Sequence, residues 1–271
     1  MYHAYWNLER RPFEEDDQAM FYYPVETHQA TLLKLHYVLE NRRGGAALAG
    51  LPGLGKTRLV RILLDDLEAS WEPRIHVRFP RLEPDQLVAY LVGELTGRRS
   101  VATGLDANLR RLEGFLKTNR ERGCHAVVVI DEAHTLSGSE TLETIRLLMN
   151  YQGAWTWLLV GQPGLLTALE RMPTLEERLS VKCVLQPFSG DETVAYLSHR
   201  LRAAGGGDVH RVFEPEALER LHELSEGIPR RINRLADLAL LVGFAEEQAT
   251  IQAAHVEAVA QELLLVSPAW V

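Results

Sequence analysis

A chain of 271 residues, 46% hydrophobic and 24% charged, has the composition of a globular protein, which excludes disordered, collagen-like and coiled-coil architectures. Its net charge of -8, from 29 Lys and Arg against 37 Asp and Glu, argues against a molecule whose main partner is a nucleic-acid backbone.

Taken in chain order, short runs rich in Val, Ile, Leu and Ala alternate with helical patterns as far as Phe188. The runs at 46–49, 75–79, 126–130, 157–160 and 181–185 read as strands. Short buried strands alternating with helices predict a parallel sheet covered on both faces. After the first strand, Leu59, Val60, Leu63, Leu64 and Leu67 fall on one face of a helix. Trp155 and Trp157 flank the fourth strand, and Trp157 is expected in the core. The stretch Gln186-Pro187-Phe188-Ser189-Gly190 is turn-rich, with a proline that ends the fifth strand, and is the expected hinge. From Asp191 onward only helical spacing remains: Ile232, Leu235, Ala236, Ala239 and Leu240 share one face, as do Val256, Val259, Ala260 and Leu263. The expected division is an α/β domain over 1–188 and a helical domain over 189–271, with Gly205-Gly206-Gly207 as a loop inside the second. No internal repeat or low-complexity segment is evident.

The residues most informative about chemistry are Gly50-Leu51-Pro52-Gly53-Leu54-Gly55-Lys56-Thr57, a full match to G-x-x-x-x-G-K-[ST] between a strand and a helix. Glycines there let backbone N–H groups turn toward phosphates, and the helix N-terminus adds partial positive charge. Gly50, Pro52, Gly53 and Gly55 are therefore expected around the phosphates of ATP. Lys56 would reach the β- and γ-phosphates, Thr57 would ligate Mg²⁺, and Arg58 follows them on the helix. The strand at 126–130 ends in Asp131-Glu132. A carboxylate at the C-terminal end of a strand in such a sheet suits Mg²⁺, the role expected of Asp131, and Glu132 suits a base for the attacking water.

A glutamate directly after that aspartate points to the P-loop ATPases in which the fourth strand lies between the first and third. The expected fold is a three-layer αβα core with a five-stranded parallel sheet in the order 5-1-4-3-2, followed by a C-terminal α-helical lid. The end of the fourth strand then faces the γ-phosphate, which makes Gln162 the candidate first sensor. Arg230, at the start of the helix opened by Pro229, would oppose the helix dipole unless paired with a phosphate, and is the candidate second sensor.

Other residues invite less. His134 completes the letters D-E-A-H, but helicases with that box carry a second domain for which this chain has no room. The ten histidines lack metal-ligand spacing. Cys124 and Cys183 form no paired motif, so neither a disulfide framework nor a zinc site is expected and a reducing cytoplasm is the natural setting. No serine sits in a nucleophile elbow. No run of about 18 apolar residues occurs and no basic-then-apolar leader opens the chain, so neither a membrane span nor an export signal is expected.

Taken together, these residues resemble the AAA+ ATPases of the ExeA/GspA secretion type, over about residues 5–265. The likeness lies in Tyr5-Trp6-Asn7-Leu8 with Pro12-Phe13, in Phe21-Tyr22 and His28, in Leu142-Glu143-Thr144-Ile145-Arg146-Leu147-Leu148 through Asn150, and in Leu159-Val160-Gly161-Gln162-Pro163. It continues in Tyr196 with His199-Arg200-Leu201 and from Gly227 to Leu241. The resemblance implies ATP bound where core and lid meet, an N-terminal segment around Phe13 and Tyr22 covering the adenine, and a ring in which one subunit completes its neighbour's site. It also implies an arginine finger, assigned to Arg178; four residues on, where relatives carry a second arginine, stands Lys182. Members that work in secretion continue into a membrane span and a peptidoglycan-binding domain, neither of which is found up to Val271. The function expected is a homo-oligomeric ATPase driving assembly or conformational change of a secretion or envelope protein. One alternative is a DNA-bound regulator like the TniB/TnsC transposition ATPases, supported by Arg42-Arg43, Arg98-Arg99 and Arg110-Arg111 but opposed by the acidic balance. Another is a nucleotide switch that does not hydrolyse.

Overall fold

In the computed structural model of the protein the described residues are 2–14, 19–97, 104–136, 140–151 and 153–266. The chain divides into two compact units, one of Thr27–Pro52 and Lys56–Leu185, the other of Met1–Glu26, Gly53–Gly55 and Gln186–Val271.

The first unit is built on five parallel strands: β1 Gly45–Ala49, β2 Arg74–Val77, β3 Ala126–Ile130, β4 Trp155–Gly161 and β5 Leu179–Val184. Their spatial order is β2-β3-β4-β1-β5, the order expected for the inserted fourth strand. Every residue of β1, β3 and β4 is buried, as strands covered on both faces require. Edge strand β5 alternates instead, burying Leu179 and Cys183 and exposing Ser180, Lys182 and Val184. Four strands differ in extent from the sequence reading: β1 begins one residue earlier, at Gly45, β5 runs from Leu179 to Val184 in place of 181–185, and β2 and β4 shift at their ends. β2 stops at Val77 because its only partner is β3 and their last pair is Val77↔Ile130, which leaves Arg78 and Phe79 outside the ladder. β4 starts at Trp155 because Trp155 pairs with Ala126. Trp155 and Trp157 are both buried, their rings edge to face with centroids 4.8 Å apart, so Trp157 is a core residue.

Register decides where chemistry can occur. Ala49 of β1 pairs with Gly161 of β4, and Ile130 of β3 with Leu159. The loops leaving β1, β3 and β4 therefore emerge together at the C-terminal edge of the sheet, where sheets of this kind bind ligands. The helix Lys56–Asp65 that follows β1 buries Leu59, Val60 and Leu63. Leu64 is only half-buried, and Leu67 lies beyond the helix end.

The second unit is helical, with its core on Gly190–Ala203, Pro215–Ser225, Pro229–Ala245 and Ala253–Val266. The apolar positions read from periodicity, from Ile232 to Leu240 and from Val256 to Leu263, are all buried there. The N-terminal segment packs in this unit and not with the α/β region: Tyr2, Trp6, Leu8, Phe13, Phe21 and Val25 join the same core. Trp6 Nε1 donates to the Leu240 carbonyl at 3.0 Å, and buried Arg200 donates to the carbonyls of Pro12 at 2.5 Å and Glu14 at 2.8 Å. The guanidinium of Arg200 also lies 4.5 Å from the Phe21 ring centroid. Phe13 is thus committed to the helical core, and its ring is not presented at the surface. The chain passes between units at Leu185–Gln186, within one residue of the expected hinge, but Ser189 already caps the next helix in a capping box with Glu192.

One buried group makes the α/β unit acid-sensitive. His125, just before β3, is wholly buried, with Nε2 3.0 Å from Thr156 Oγ1, whose hydroxyl donates to the Arg43 carbonyl at 2.7 Å. Burial, aided by the Arg42 charge, pushes the imidazole down from 6.5 to about 4. A value depressed in the folded state means stability that is complete above pH 6.5 and lost as pH falls toward 4, by about 3 kcal/mol. His125→Gln, which keeps a donor near Thr156, should lose about 3 kcal/mol less than the parent between pH 7 and pH 4 in urea titrations. Equal losses would place the acid sensitivity elsewhere.

Candidate functional site

The loop between β1 and the helix Lys56–Asp65 returns toward β4, with the Gly50 N–H donating to the Gly161 carbonyl at 3.2 Å. Gly53 and Gly55 have φ of +85° and +87°, a region open to glycine without strain, so the motif glycines turn the loop. The Arg230 N–H donates to the Gly53 carbonyl at 3.3 Å within the second unit. A side chain at Gly53 would also meet Ile228 and Arg230 at 3.0 Å or less. Lys56 is buried, and its ammonium donates to the carbonyls of Gly50 and Leu51, both at 2.9 Å, so the loop holds a cation where phosphate oxygens are expected.

Thr57 and Asp131 meet although their strands are not neighbours: Thr57 Oγ1 donates to Asp131 Oδ2 at 2.8 Å. Asp131 Oδ1 accepts the Glu132 N–H at 2.9 Å, and His76 Nε2 lies 3.3 Å from Oδ2. Burial pushes the Asp131 carboxyl up, but the hydrogen bonds from His76, Thr57 and Glu132 outweigh it and leave the group below its ordinary value. Asp131 is thereby kept as a buried anion beside a hydroxyl, a donor pair that fits Mg²⁺, which prefers oxygen ligands. Glu132 has φ of +52°, an uncommon conformation for a residue with a side chain. Its carbonyl accepts from Thr135 N at 2.9 Å and Thr135 Oγ1 at 2.8 Å, which hold the turn. Its carboxylate is half-exposed and Oε2 lies 3.3 Å from His134 Nδ1. Gln162, first after β4, directs its main-chain N–H to the same His134 Nδ1 at 3.3 Å.

A family profile described as AAA domain matches residues 39–169. General secretion pathway protein A of Aeromonas hydrophila is 34% identical over 252 residues, covering 90% of this chain and 45% of that protein. The chain thus contains an AAA domain and is similar over most of its length to a protein of the ExeA/GspA type. It spans less than half the length of that relative. Among solved structures, the Aeropyrum pernix ORC2 protein in its ADPNP–ADP complexes matches with a TM-score of 0.66 and 18% identity, over 94% of this chain and 72% of that one. Cdc6p from Pyrobaculum aerophilum matches with a TM-score of 0.68 and 18% identity, over 91% and 71%. At that identity the likeness concerns the fold.

In this chain the α/β unit brings Gly50, Lys56, Thr57, Asp131, Glu132 and Gln162 to one edge of the sheet. Pro52 is exposed in the loop, and Arg58 is half-buried on the helix beside Thr57. Arg230 lies in the helical unit, at the first turn of Pro229–Ala245. Arg178 stands at the opposite edge, immediately before β5, where Leu179 pairs with the first residue of β1. Lys182 is inside β5, exposed and ion-paired with Glu176. Of the basic clusters, Arg42 and Arg43 are exposed, Arg110 pairs with Asp106 at 2.7 Å, and Arg98-Arg99 lies outside the described residues. Among the described residues no helix is long and apolar enough to cross a membrane.

Two site residues escaped the sequence reading. His76 was hidden as one residue of an apolar strand, and its only signal is that this strand borders the one ending in Asp131. His134 was set aside with the helicase box, though its spacing from Glu132 places it on the same turn. Gly161 is what lets that turn approach β4, since a Cβ there would lie 3.0 Å from the His134 nitrogen and 3.3 Å from its Cβ. Gly161→Ala should therefore cost roughly 1–3 kcal/mol by overpacking against main chain, read as a lower urea midpoint. An unchanged midpoint would mean that the turn yields freely.

Proposed function

We propose that the protein binds Mg-ATP and hydrolyses it as a subunit of a homo-oligomer, and that this cycle drives assembly or conformational change of a secretion or envelope protein from the cytoplasmic side. The observation that carries the reading is the Thr57–Asp131 hydrogen bond of 2.8 Å, which sets a hydroxyl and a buried carboxylate side by side next to Lys56 and Glu132. A bound Mg²⁺ supplies charge that offsets the phosphates.

Lys56, now on its own loop carbonyls, turns to the β- and γ-phosphates. Thr57 and Asp131 would hold the metal through oxygen, and the main-chain N–H groups of Gly50, Gly53 and Gly55 would face the phosphates, with Pro52 shaping the loop and Arg58 beside it. Glu132 takes the proton of the attacking water at its carboxylate. Gln162 reads the γ-phosphate as first sensor and Arg230 as second sensor.

Arg178 acts on the nucleotide of another copy. It lies at the edge of the sheet opposite Lys56, and the length of β5, at about 3.3 Å per residue, keeps it far from its own site. Its planar guanidinium suits phosphate, and Lys182 is held by Glu176. The direction toward secretion rests on the likeness to a protein named General secretion pathway protein A. Among the described residues the basic clusters offered for the DNA-bound alternative reduce to the exposed Arg42-Arg43, since Arg110 is paired with Asp106.

ATP turnover per subunit should rise with protein concentration to a plateau, with Lys56→Ala and Glu132→Gln at background. Arg178→Ala should lower the plateau on the order of 10³-fold, the scale of an arginine finger. Mixed with Glu132→Gln, which brings an intact Arg178 to an intact site, it should regain turnover. A rate per subunit independent of concentration, with no complementation, would remove Arg178 from this role.

A further inference from the structure

His134 Nδ1 lies 3.3 Å from Glu132 Oε2 and 3.3 Å from the main-chain nitrogen of Gln162. One ring nitrogen serves only one of these at a time. Without a proton it accepts the Gln162 N–H and offers the Glu132 carboxylate nothing but a lone pair. With a proton it donates to Glu132 and leaves the Gln162 N–H without an acceptor. The ring therefore ties the state of the turn after β4 to the freedom of the Glu132 carboxylate.

The arrangement is built by three separate features. Glu132 is held at φ +52° by Thr135 on its carbonyl and by Asp131 on its N–H, which aims its side chain back along the turn. Gly161 has no Cβ, so the His134 backbone comes close to the end of β4. The His134 ring is itself only 20% exposed, packed where it cannot swing freely.

We propose that His134 is a positioning residue that couples the Gln162 turn to Glu132, holding the carboxylate for proton transfer when Gln162 leaves Nδ1. The inference rests on the reading of Glu132 as base and Gln162 as sensor given above. It assigns the histidine of the D-E-A-H letters to a contact inside one subunit.

Three variants at His134 test it. Asparagine places an amide oxygen and an amide nitrogen near the position of Nδ1, alanine removes both bonds, and leucine keeps volume without polarity. At a protein concentration on the turnover plateau, His134→Leu and His134→Ala should lower kcat roughly tenfold or more, the scale of a misplaced catalytic group. Mg-ATP affinity, read with a fluorescent ATP analogue, should change less than twofold. His134→Asn should stay within about threefold of the parent kcat, because it keeps a donor and an acceptor near Nδ1.

A parent-like kcat in His134→Leu would overturn the proposal, as would equal losses in all three variants, or affinity falling in step with kcat. Urea midpoints identify any variant that fails to fold, and the remaining variants then decide. Glu132→Gln, measured alongside, separates the two readings: parent-like turnover there defeats the role of Glu132 itself. Background turnover there with an unaffected His134→Leu defeats only the coupling.

Discussion

A hydroxyl and a carboxylate 2.8 Å apart join two strands that are not neighbours. Thr57 follows β1, Asp131 ends β3, and β4 runs between them. Adjacent strands lie about 4.8 Å apart, so the link crosses roughly 9–10 Å of sheet through one helix turn and one side chain. It depends on the register of β1, β4 and β3, in which Ala49 pairs with Gly161 and Ile130 pairs two residues earlier, with Leu159. A slip of one residue in β4 would reverse every side chain of that strand and carry Gln162 away from the edge. The buried small and branched residues of these three strands are therefore what keep the site in register, and Gly161 among them also meets it directly, at Gly50 and His134.

The same parallel sheet divides labour between its two edges. Loops leaving the strands gather at the C-terminal edge the groups proposed to bind phosphate and accept a proton. Loops entering the strands face the other way, and Arg178 is among them. No rotamer change carries a side chain across the length of β5. In the proposed reading Arg178 therefore serves a second molecule, while Lys182 is held inside the strand by Glu176.

What the sequence made legible follows from the kind of information each motif carries. Strands β1 and β3 were readable because they are continuous apolar runs, and the phosphate loop because its glycines and lysine have fixed spacing. The end of β2 was not, since it depends on where the partner strand stops and not on residues 78 and 79 themselves. Lys56, Thr57, Asp131, Glu132 and Gln162 could be placed from motif and strand order. His76 could not, because it meets Asp131 across segments far apart in sequence and a lone histidine in a strand carries no spacing to betray it; the spacing of His134 shows the turn it shares with Glu132 but not its contact with Gln162.

The N-terminal segment shows the reverse case, where likeness to a family named residues whose purpose only packing explains. Tyr5-Trp6, Pro12-Phe13 and Phe21 on one side, and Tyr196 with His199-Arg200-Leu201 on the other, are separated by more than 170 positions. In the helical unit they meet. Arg200 bonds the carbonyls of Pro12 and Glu14, His199 Nε2 lies 2.9 Å from the Met20 carbonyl, and Tyr196 donates to Asn233 at 2.8 Å. A buried guanidinium is tolerated only where fixed acceptors replace its water, and main-chain carbonyls of a non-helical segment supply them. The segment in turn gains order it could not have alone, since its few aromatic residues have no core of their own. The paired signatures are thus two halves of one packing contact within the helical unit.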